Sequence, residues 1–240
     1  MQVSEIRYEA EGRNLVGQLA FDDKVSDRRP AVLVSHEGPG LGRHAKEVAE
    51  RLASLGYVAF ALDYHGDGAL LPMPQAMERL NELTADPSQT GRLAIAGLDV
   101  LLSESRADPR RVAAIGYCFG GVVSLELART GADVKAVVGF HPGYTPPRTE
   151  ASRKIRASVL MLSGTEDPFA TADQRTAFEV EMREAGVADW RMELYGGVGH
   201  SFTNPDVDAL NMPGMAYDAR ADSRSWDSML RLLDEVLAPG

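Results

Sequence analysis

Apolar and polar positions along the chain alternate between patterns typical of strands and patterns typical of helices. On both sides of a polar turn at residues 11–14, apolar residues occupy every second position, which predicts a β-hairpin. A last strand is predicted at residues 191–195. Between these two points, the apolar runs typical of buried parallel strands occupy residues 31–34, 57–62, 112–117, 134–140 and 158–163.

Apolar residues at helical spacing fill the intervals between the predicted strands. A capping box formed by Thr171 and Gln174 begins one helix, and Gly186 ends it. Further helices are predicted at residues 45–55, 74–83, 88–102 and 120–129. The last helix carries an apolar stripe of Trp226, Met229, Leu230, Leu233 and Leu237. The alternation predicts an α/β fold, a doubly wound, mostly parallel sheet with helices on both faces.

Length and composition restrict the class of protein. The 240 residues contain no internal repeat, low-complexity tract or linker, so we expect one domain over residues 1–240. No run of about 18 apolar residues and no signal-peptide pattern occurs, which predicts a cytoplasmic protein without a membrane partner. A formal net charge of −10 argues against a nucleic-acid partner. The pattern does not determine the oligomeric state.

The single cysteine lies where chemistry is expected. Residues 116–121, Gly-Tyr-Cys-Phe-Gly-Gly, follow a predicted strand and precede a predicted helix. This is the nucleophile-elbow pattern of α/β-hydrolases with Cys118 as the nucleophile. Glycines flank the nucleophile because a side chain there would collide with the neighbouring strand or helix. The sulfur is expected at a helix N-terminus, where backbone N–H groups favour a thiolate.

Two further residues complete a candidate triad. Asp167 follows a predicted strand, with Glu166 as an alternative for the acid. His200 follows the last predicted strand in a glycine-rich loop. The chain order of nucleophile, acid and base matches that of α/β-hydrolases. We therefore expect Cys118, Asp167 and His200 to form a Cys-His-Asp triad.

The oxyanion hole is expected from backbone donors. In this fold, one N–H belongs to the residue after the nucleophile, here Phe119, and another to the loop after the first buried strand, here Gly38. The other histidines, His44, His65 and His141, lack metal-ligand spacing, and structural roles are expected for the last two. No metal or cofactor is expected.

These residues resemble the dienelactone hydrolase family, and the match extends from the loop at residues 35–38 to the C-terminal helix. The most specific piece is the segment at residues 116–121, supported by residues 200–202. The resemblance implies an α/β-hydrolase fold without a large lid and a Cys-His-Asp triad. It also implies that Glu37 lies near the thiol and helps to switch it between thiol and thiolate.

The sequence departs from the family at the substrate site. Family members that cleave dienelactones hold the substrate carboxylate with two arginines, one of them shortly after the triad histidine. Residues 201–205 contain no basic residue, and the next arginine is Arg220. Arg79 and Arg92 are possible counterparts of the other arginine, but surface solvation is the favoured interpretation of each. The substrate-binding residues are therefore left open.

The leading hypothesis is hydrolysis of a small lactone, ester or thioester through a cysteine nucleophile. The first alternative is a general carboxylesterase with a hydrophobic pocket. The second is a non-catalytic binding protein on the same scaffold. The expected partner is a small ester or lactone substrate.

Overall fold

The strands form one mixed sheet. The computed structural model describes residues 1–238, which form an eight-stranded sheet in the order β1-β2-β4-β3-β5-β6-β7-β8. β1 pairs antiparallel with β2, and β2 antiparallel with β4, whereas all other pairs are parallel. The strands are β1 (Gln2–Ala10), β2 (Arg13–Phe21), β3 (Arg29–Ser35), β4 (Val58–Leu62), β5 (Ala107–Tyr117), β6 (Ala136–Phe140), β7 (Ser158–Gly164) and β8 (Trp190–Tyr195).

Helices cover both faces of the sheet. One core contains apolar residues of α3, α4 and α6, and the other contains those of α1 and α7. None of the helices in the described part of the chain is long and apolar enough to cross a bilayer. The α-helices are α1 (Arg43–Ser54), α2 (Met73–Ala85), α3 (Pro87–Ser103), α4 (Phe119–Arg129), α5 (Thr149–Ser152), α6 (Ala172–Ala185) and α7 (Ala219–Val236), and a 3-10 helix spans Pro205–Leu210.

The predicted α/β architecture is confirmed, and the differences concern the ends of elements. Residues 108–109, predicted as a turn, lie inside β5, because Ala107 still pairs with Arg29 across a register shift. α7 begins well before its apolar stripe, since the Asp218 carboxylate caps it by accepting hydrogen bonds from two backbone N–H groups. The short α5 and the 3-10 helix were not predicted, since neither is long enough to show a hydrophobic period.

The strand order brings the candidate residues to one edge of the sheet. Glu37 follows β3, Cys118 follows β5, Asp167 follows β7 and His200 follows β8. Because β3, β5, β6, β7 and β8 are parallel, these carboxyl ends meet at the same edge. Ligands of doubly wound sheets bind at this edge.

A buried ionic network holds the C-terminal end of α4. Arg129 is 3% exposed and donates to Glu126 at 2.7 Å, to Glu181 at 2.6 Å and to the Ser152 hydroxyl at 3.0 Å. Arg148 pairs with the other oxygen of Glu126. The network joins α4, α5 and α6, so it fixes the helix whose N-terminus carries Cys118.

We expect Arg129→Met to lower the free energy of unfolding by about 3–5 kcal/mol, because two carboxylates would stay buried without their common cation. Urea unfolding measures this change. Arg183→Met is the control, since Arg183 pairs with Glu179 at 3.8 Å on the surface and its loss should cost less than about 0.5 kcal/mol. Equal losses in both variants would contradict a structural role for the network.

Candidate active site

The turn between β5 and α4 holds Cys118 in an unusual backbone conformation. Cys118 has φ 54° and ψ −120°, and it is the N-cap residue of α4. A Cβ at Gly116 would lie 1.9 Å from the carbonyl oxygen of Gly120, and a Cβ at Gly120 would lie 2.2 Å from that of Ser35. Only glycine fits at these positions. The close approach presents the Cys118 side chain at the edge of the sheet and at the start of the helix.

His200 connects Cys118 with Asp167. Its Nδ1 donates to Asp167 Oδ2 at 2.7 Å, and the ring lies close enough to the Cys118 side chain for that group to raise its pKa. Burial disfavours the charged ring, but Cys118 and the Asp167 hydrogen bond outweigh it and raise the pKa of His200 to about 10. Asp167 also accepts from the backbone N–H of Phe169 at 2.8 Å. Glu166, the alternative acid, is exposed, and its carboxylate accepts from the Thr165 hydroxyl at 3.3 Å.

Two backbone donors near Cys118 lack a partner. Within residues 1–238, the N–H groups of Phe119 and Gly38 have no hydrogen-bond acceptor. The Glu37 carbonyl shares a peptide plane with the Gly38 N–H, and it accepts from His36 Nδ1 at 2.6 Å and from the Tyr64 hydroxyl at 3.3 Å. The Gly38 carbonyl accepts from His65 Nε2 at 2.7 Å, so the peptides on both sides of Gly38 are held by side chains.

An aromatic cluster supports the loop that contains Gly38. Tyr64 stacks on His36 with ring centroids 3.7 Å apart, and its hydroxyl donates to the His36 carbonyl at 2.7 Å. Burial lowers the pKa of His36 to about 3 and also lowers that of His65, so both rings are neutral near pH 7. In the described part of the chain, no group of three or more His, Cys, Asp or Glu side chains could hold a metal ion.

The Glu37 carboxylate is hydrogen-bonded to two side chains from other segments. His44 Nδ1 donates to its carboxylate at 2.5 Å, and Asn204 Nδ2 donates to the same oxygen at 3.2 Å. Among the described residues, Glu37 and Cys118 form no hydrogen bond with each other. Burial opposes ionisation of Glu37, but His44 lowers its pKa, while Glu37 raises the pKa of His44 despite burial. The opposite directions of the two pKa shifts favour an ion pair between these side chains.

His141 contacts the nucleophile turn more closely than the sequence indicated. It follows β6 directly, has φ 38° and is fully buried. The backbone N–H of Cys118 donates to His141 Nδ1 at 3.2 Å. The site contacts of His44 and His141 were not predicted from the sequence, and neither were those of Tyr64, Asn204 and Phe169. For His141, one feature of the sequence could have indicated a place in the site: it directly follows a parallel strand, where ligands of such sheets bind.

An aromatic side chain lies beside the base. The Phe169 ring is 4.9 Å from the His200 ring and 47% exposed. Arg79 is buried against Glu82 and the Tyr64 carbonyl, whereas Arg92 pairs with Glu11 on the surface. Arg220 is exposed on α7. None of the three arginines considered from the sequence has a contact with Cys118 or His200.

Comparison with known proteins identifies the family. The profile of the dienelactone hydrolase family matches residues 16–237. A solved structure named m3DLH is 43% identical and covers 99% of both chains, with a TM-score of 0.95. A dienelactone hydrolase-like promiscuous phosphotriesterase from metagenomic libraries is 38% identical over 99% of both chains, also with a TM-score of 0.95. A putative carboxymethylenebutenolidase of Yersinia pestis is 25% identical over 92% of this chain and 84% of its own.

The family match extends over most of the chain, and the two solved structures share its whole fold. With the sheet edge and its side chains described above, this chain belongs to the dienelactone hydrolase family and is a hydrolase that acts on ester bonds.

Proposed function

We propose that the protein hydrolyses small, mainly neutral lactones, esters or thioesters with Cys118 as the nucleophile. The observation that carries this proposal is the connection from Cys118 through His200 to Asp167, with a 2.7 Å bond between the last two. A raised pKa of His200 favours an imidazolium beside a thiolate, which is the reactive form of cysteine.

The first half of the reaction forms a thioester. The Cys118 sulfur attacks the carbonyl carbon, and the displaced electron pair moves to the oxygen, which accepts hydrogen bonds from Phe119 N–H and Gly38 N–H. When the tetrahedral intermediate collapses, the bond to the leaving oxygen breaks. His200 gives its proton to that oxygen, and the acyl group stays on sulfur.

The second half releases the acid. His200, now neutral, takes a proton from water, and the hydroxide attacks the thioester carbon. Collapse of the second intermediate breaks the carbon–sulfur bond and returns a thiolate beside an imidazolium. Asp167 accepts from His200 Nδ1 throughout, which keeps Nε2 directed at the reacting atoms.

The surroundings of the triad favour a neutral substrate. Residues 201–205 contain no arginine, whereas dienelactone-cleaving relatives carry one shortly after the triad histidine. The neutral amide of Asn204 in this segment is bonded to Glu37. Phe169 presents an exposed aromatic face next to His200. An apolar acyl or alcohol group gains from contact with this ring, whereas a carboxylate finds no bidentate partner.

A second candidate activity is the hydrolysis of phosphotriesters. The observation that favours it is the 38% identity, over 99% of both chains, to a promiscuous phosphotriesterase. A general carboxylesterase differs from the leading proposal only in the breadth of its substrates. One panel of lactones, 4-nitrophenyl esters, a thioester and a 4-nitrophenyl dialkyl phosphate separates these possibilities.

On this panel, we expect wild type to hydrolyse neutral lactones and esters and Cys118→Ala to lose at least about 1000-fold in kcat, because the covalent route is removed. Neutral substrates should have higher kcat/KM than matched carboxylate-bearing ones. One equivalent of iodoacetamide should label Cys118 and abolish the activity.

The control is Ser105→Ala, at an exposed position remote from the site, which should keep full activity and the same labelling. Full activity after complete alkylation would contradict the nucleophile assignment. Much higher kcat/KM for dienelactone than for matched neutral esters would contradict the preference for neutral substrates.

We expect the His200 ring to keep its proton as the pH rises through 7 and 8 and to lose it only near pH 10. In Cys118→Ala its pKa should fall, because the negative charge and hydrogen bond of Cys118 disappear while Asp167 stays. NMR titration of the histidine ring nitrogens measures both values. His36 is the internal control and should stay neutral from pH 5 to 10. A His200 pKa near 6.5 in both proteins would show that the sulfur does not stabilise the imidazolium.

Glu37 provides a test of thiol switching. We expect His44→Gln to move the pH profile of Cys118 alkylation to higher pH, because a carboxylate without its cation disfavours a nearby thiolate. Glu37→Gln should leave that profile near wild type, since carboxylate and cation are lost together. It should nevertheless lower kcat by about 100-fold or more if Glu37 accepts a proton during turnover. Unchanged profiles and unchanged kcat in both variants would remove Glu37 from the mechanism.

A further inference from the structure

His141 occupies a position that the mechanism above does not use. It is the first residue after β6, and its ring lies completely out of contact with solvent. Its φ of 38° is a left-handed conformation that a histidine rarely adopts. Such conformations persist only where surrounding contacts determine them, and they cluster at functional sites.

Its two hydrogen bonds define the state of the ring. Nδ1 accepts from the backbone N–H of Cys118 at 3.2 Å, so Nδ1 carries no hydrogen. The hydrogen of the neutral ring is therefore on Nε2, which donates to the Thr203 hydroxyl at 2.9 Å. Burial and the positive charge of His200 and His44 hold the pKa of His141 well below its usual value. A protonated ring could not accept from Cys118.

The ring joins two segments that are distant in sequence. Cys118 belongs to the turn between β5 and α4. Thr203 lies 62 residues after His141 in the sequence, in the loop that contains His200. The edge of the His141 ring also packs on the His200 ring, with centroids 5.0 Å apart, and on Phe202 at 5.2 Å. One side chain therefore contacts the backbone of the nucleophile and the ring of the base.

We propose that His141 is a positioning residue that sets the distance between the Cys118 sulfur and the His200 ring by linking the nucleophile turn to the His200 loop. The inference depends on the proposed cysteine mechanism. Its role differs from ordinary core packing, because the Cys118 N–H also donates to the Phe140 carbonyl at 3.0 Å. Loss of the imidazole leaves that N–H paired, so the main effect falls on geometry and less on stability.

Three variants separate the two ends of the link. His141→Phe keeps a flat ring and removes both hydrogen bonds. His141→Asn places an amide oxygen near the position of Nδ1, so it keeps the bond to Cys118 and loses Thr203. Thr203→Val removes the acceptor at the far end. Thr90→Val is the matched control, because it also removes a buried threonine hydroxyl that forms a hydrogen bond. The Thr90 hydroxyl in α3 donates to the Leu83 carbonyl in α2 at 2.8 Å.

We expect His141→Phe to lower kcat for a 4-nitrophenyl ester by about 10- to 100-fold with KM changed less than about threefold, as a misplaced reacting group does. His141→Asn and Thr203→Val should each lose less than His141→Phe. The double variant should lose no more than either of these single ones, because both changes cut the same link. Thr90→Val should retain the wild-type kcat.

The rate of Cys118 alkylation by iodoacetamide at pH 7 is measured in parallel and should fall in the same order. This second measurement needs no ester, so it reports on His141 even if the wild-type protein hydrolyses nothing in the panel. A wild-type protein that hydrolyses no substrate of the panel would contradict the proposed function but not the positioning role of His141. A His141→Phe protein with wild-type kcat and alkylation rate would overturn the positioning role, whatever its melting temperature. Independent, multiplying losses in the double variant would also overturn it.

Discussion

The contact between backbone segments at the turn after β5 is the constraint on which the site depends. Gly116 and Gly120 touch across the turn, and Gly120 also touches the Ser35 carbonyl at the end of β3. With no room for a Cβ, the chain must turn at Cys118 through a positive φ. The same approach brings Phe119 N–H towards the loop of Gly38, so nucleophile and oxyanion donors are placed by one packing arrangement.

The five histidines form two groups that differ in the partner of the ring. His36, His65 and His141 have lowered pKa values, so they serve as neutral hydrogen-bonding rings that fix backbone. His200 and His44 face carboxylates, which raise their pKa values in spite of burial. Among the histidines, the charged form is therefore favoured only in His200 and His44, while the other three rings hold backbone in place without adding charge.

The sequence predicted the architecture and the parts of the site that follow from chain order. Apolar runs located the strands, and flanking glycines located the turn of Cys118. The partner of Glu37 was not predictable, because His44 lies on α1 and no local pattern links the two residues. The contact of His141 with Cys118 was not predictable for a related reason. It depends on which ring nitrogen faces the Cys118 N–H, and the packing of the turn determines the orientation of the ring. Side-chain pairing between distant segments requires coordinates.

The N–H groups of Phe119 and Gly38, which we propose as the oxyanion hole, affect how the protein can change. Within residues 1–238 neither has an acceptor, and a buried N–H without one costs about 1–3 kcal/mol. Left-handed residues such as Cys118, His141 and Ser201 add about 1–3 kcal/mol each. Substitutions that relax these residues or fill the hole would raise the melting temperature while abolishing turnover. Selection for thermal stability alone would therefore favour substitutions that lower the catalytic rate. An active thermostable variant of this enzyme has to gain its stability away from the site, in the two cores and at the surface.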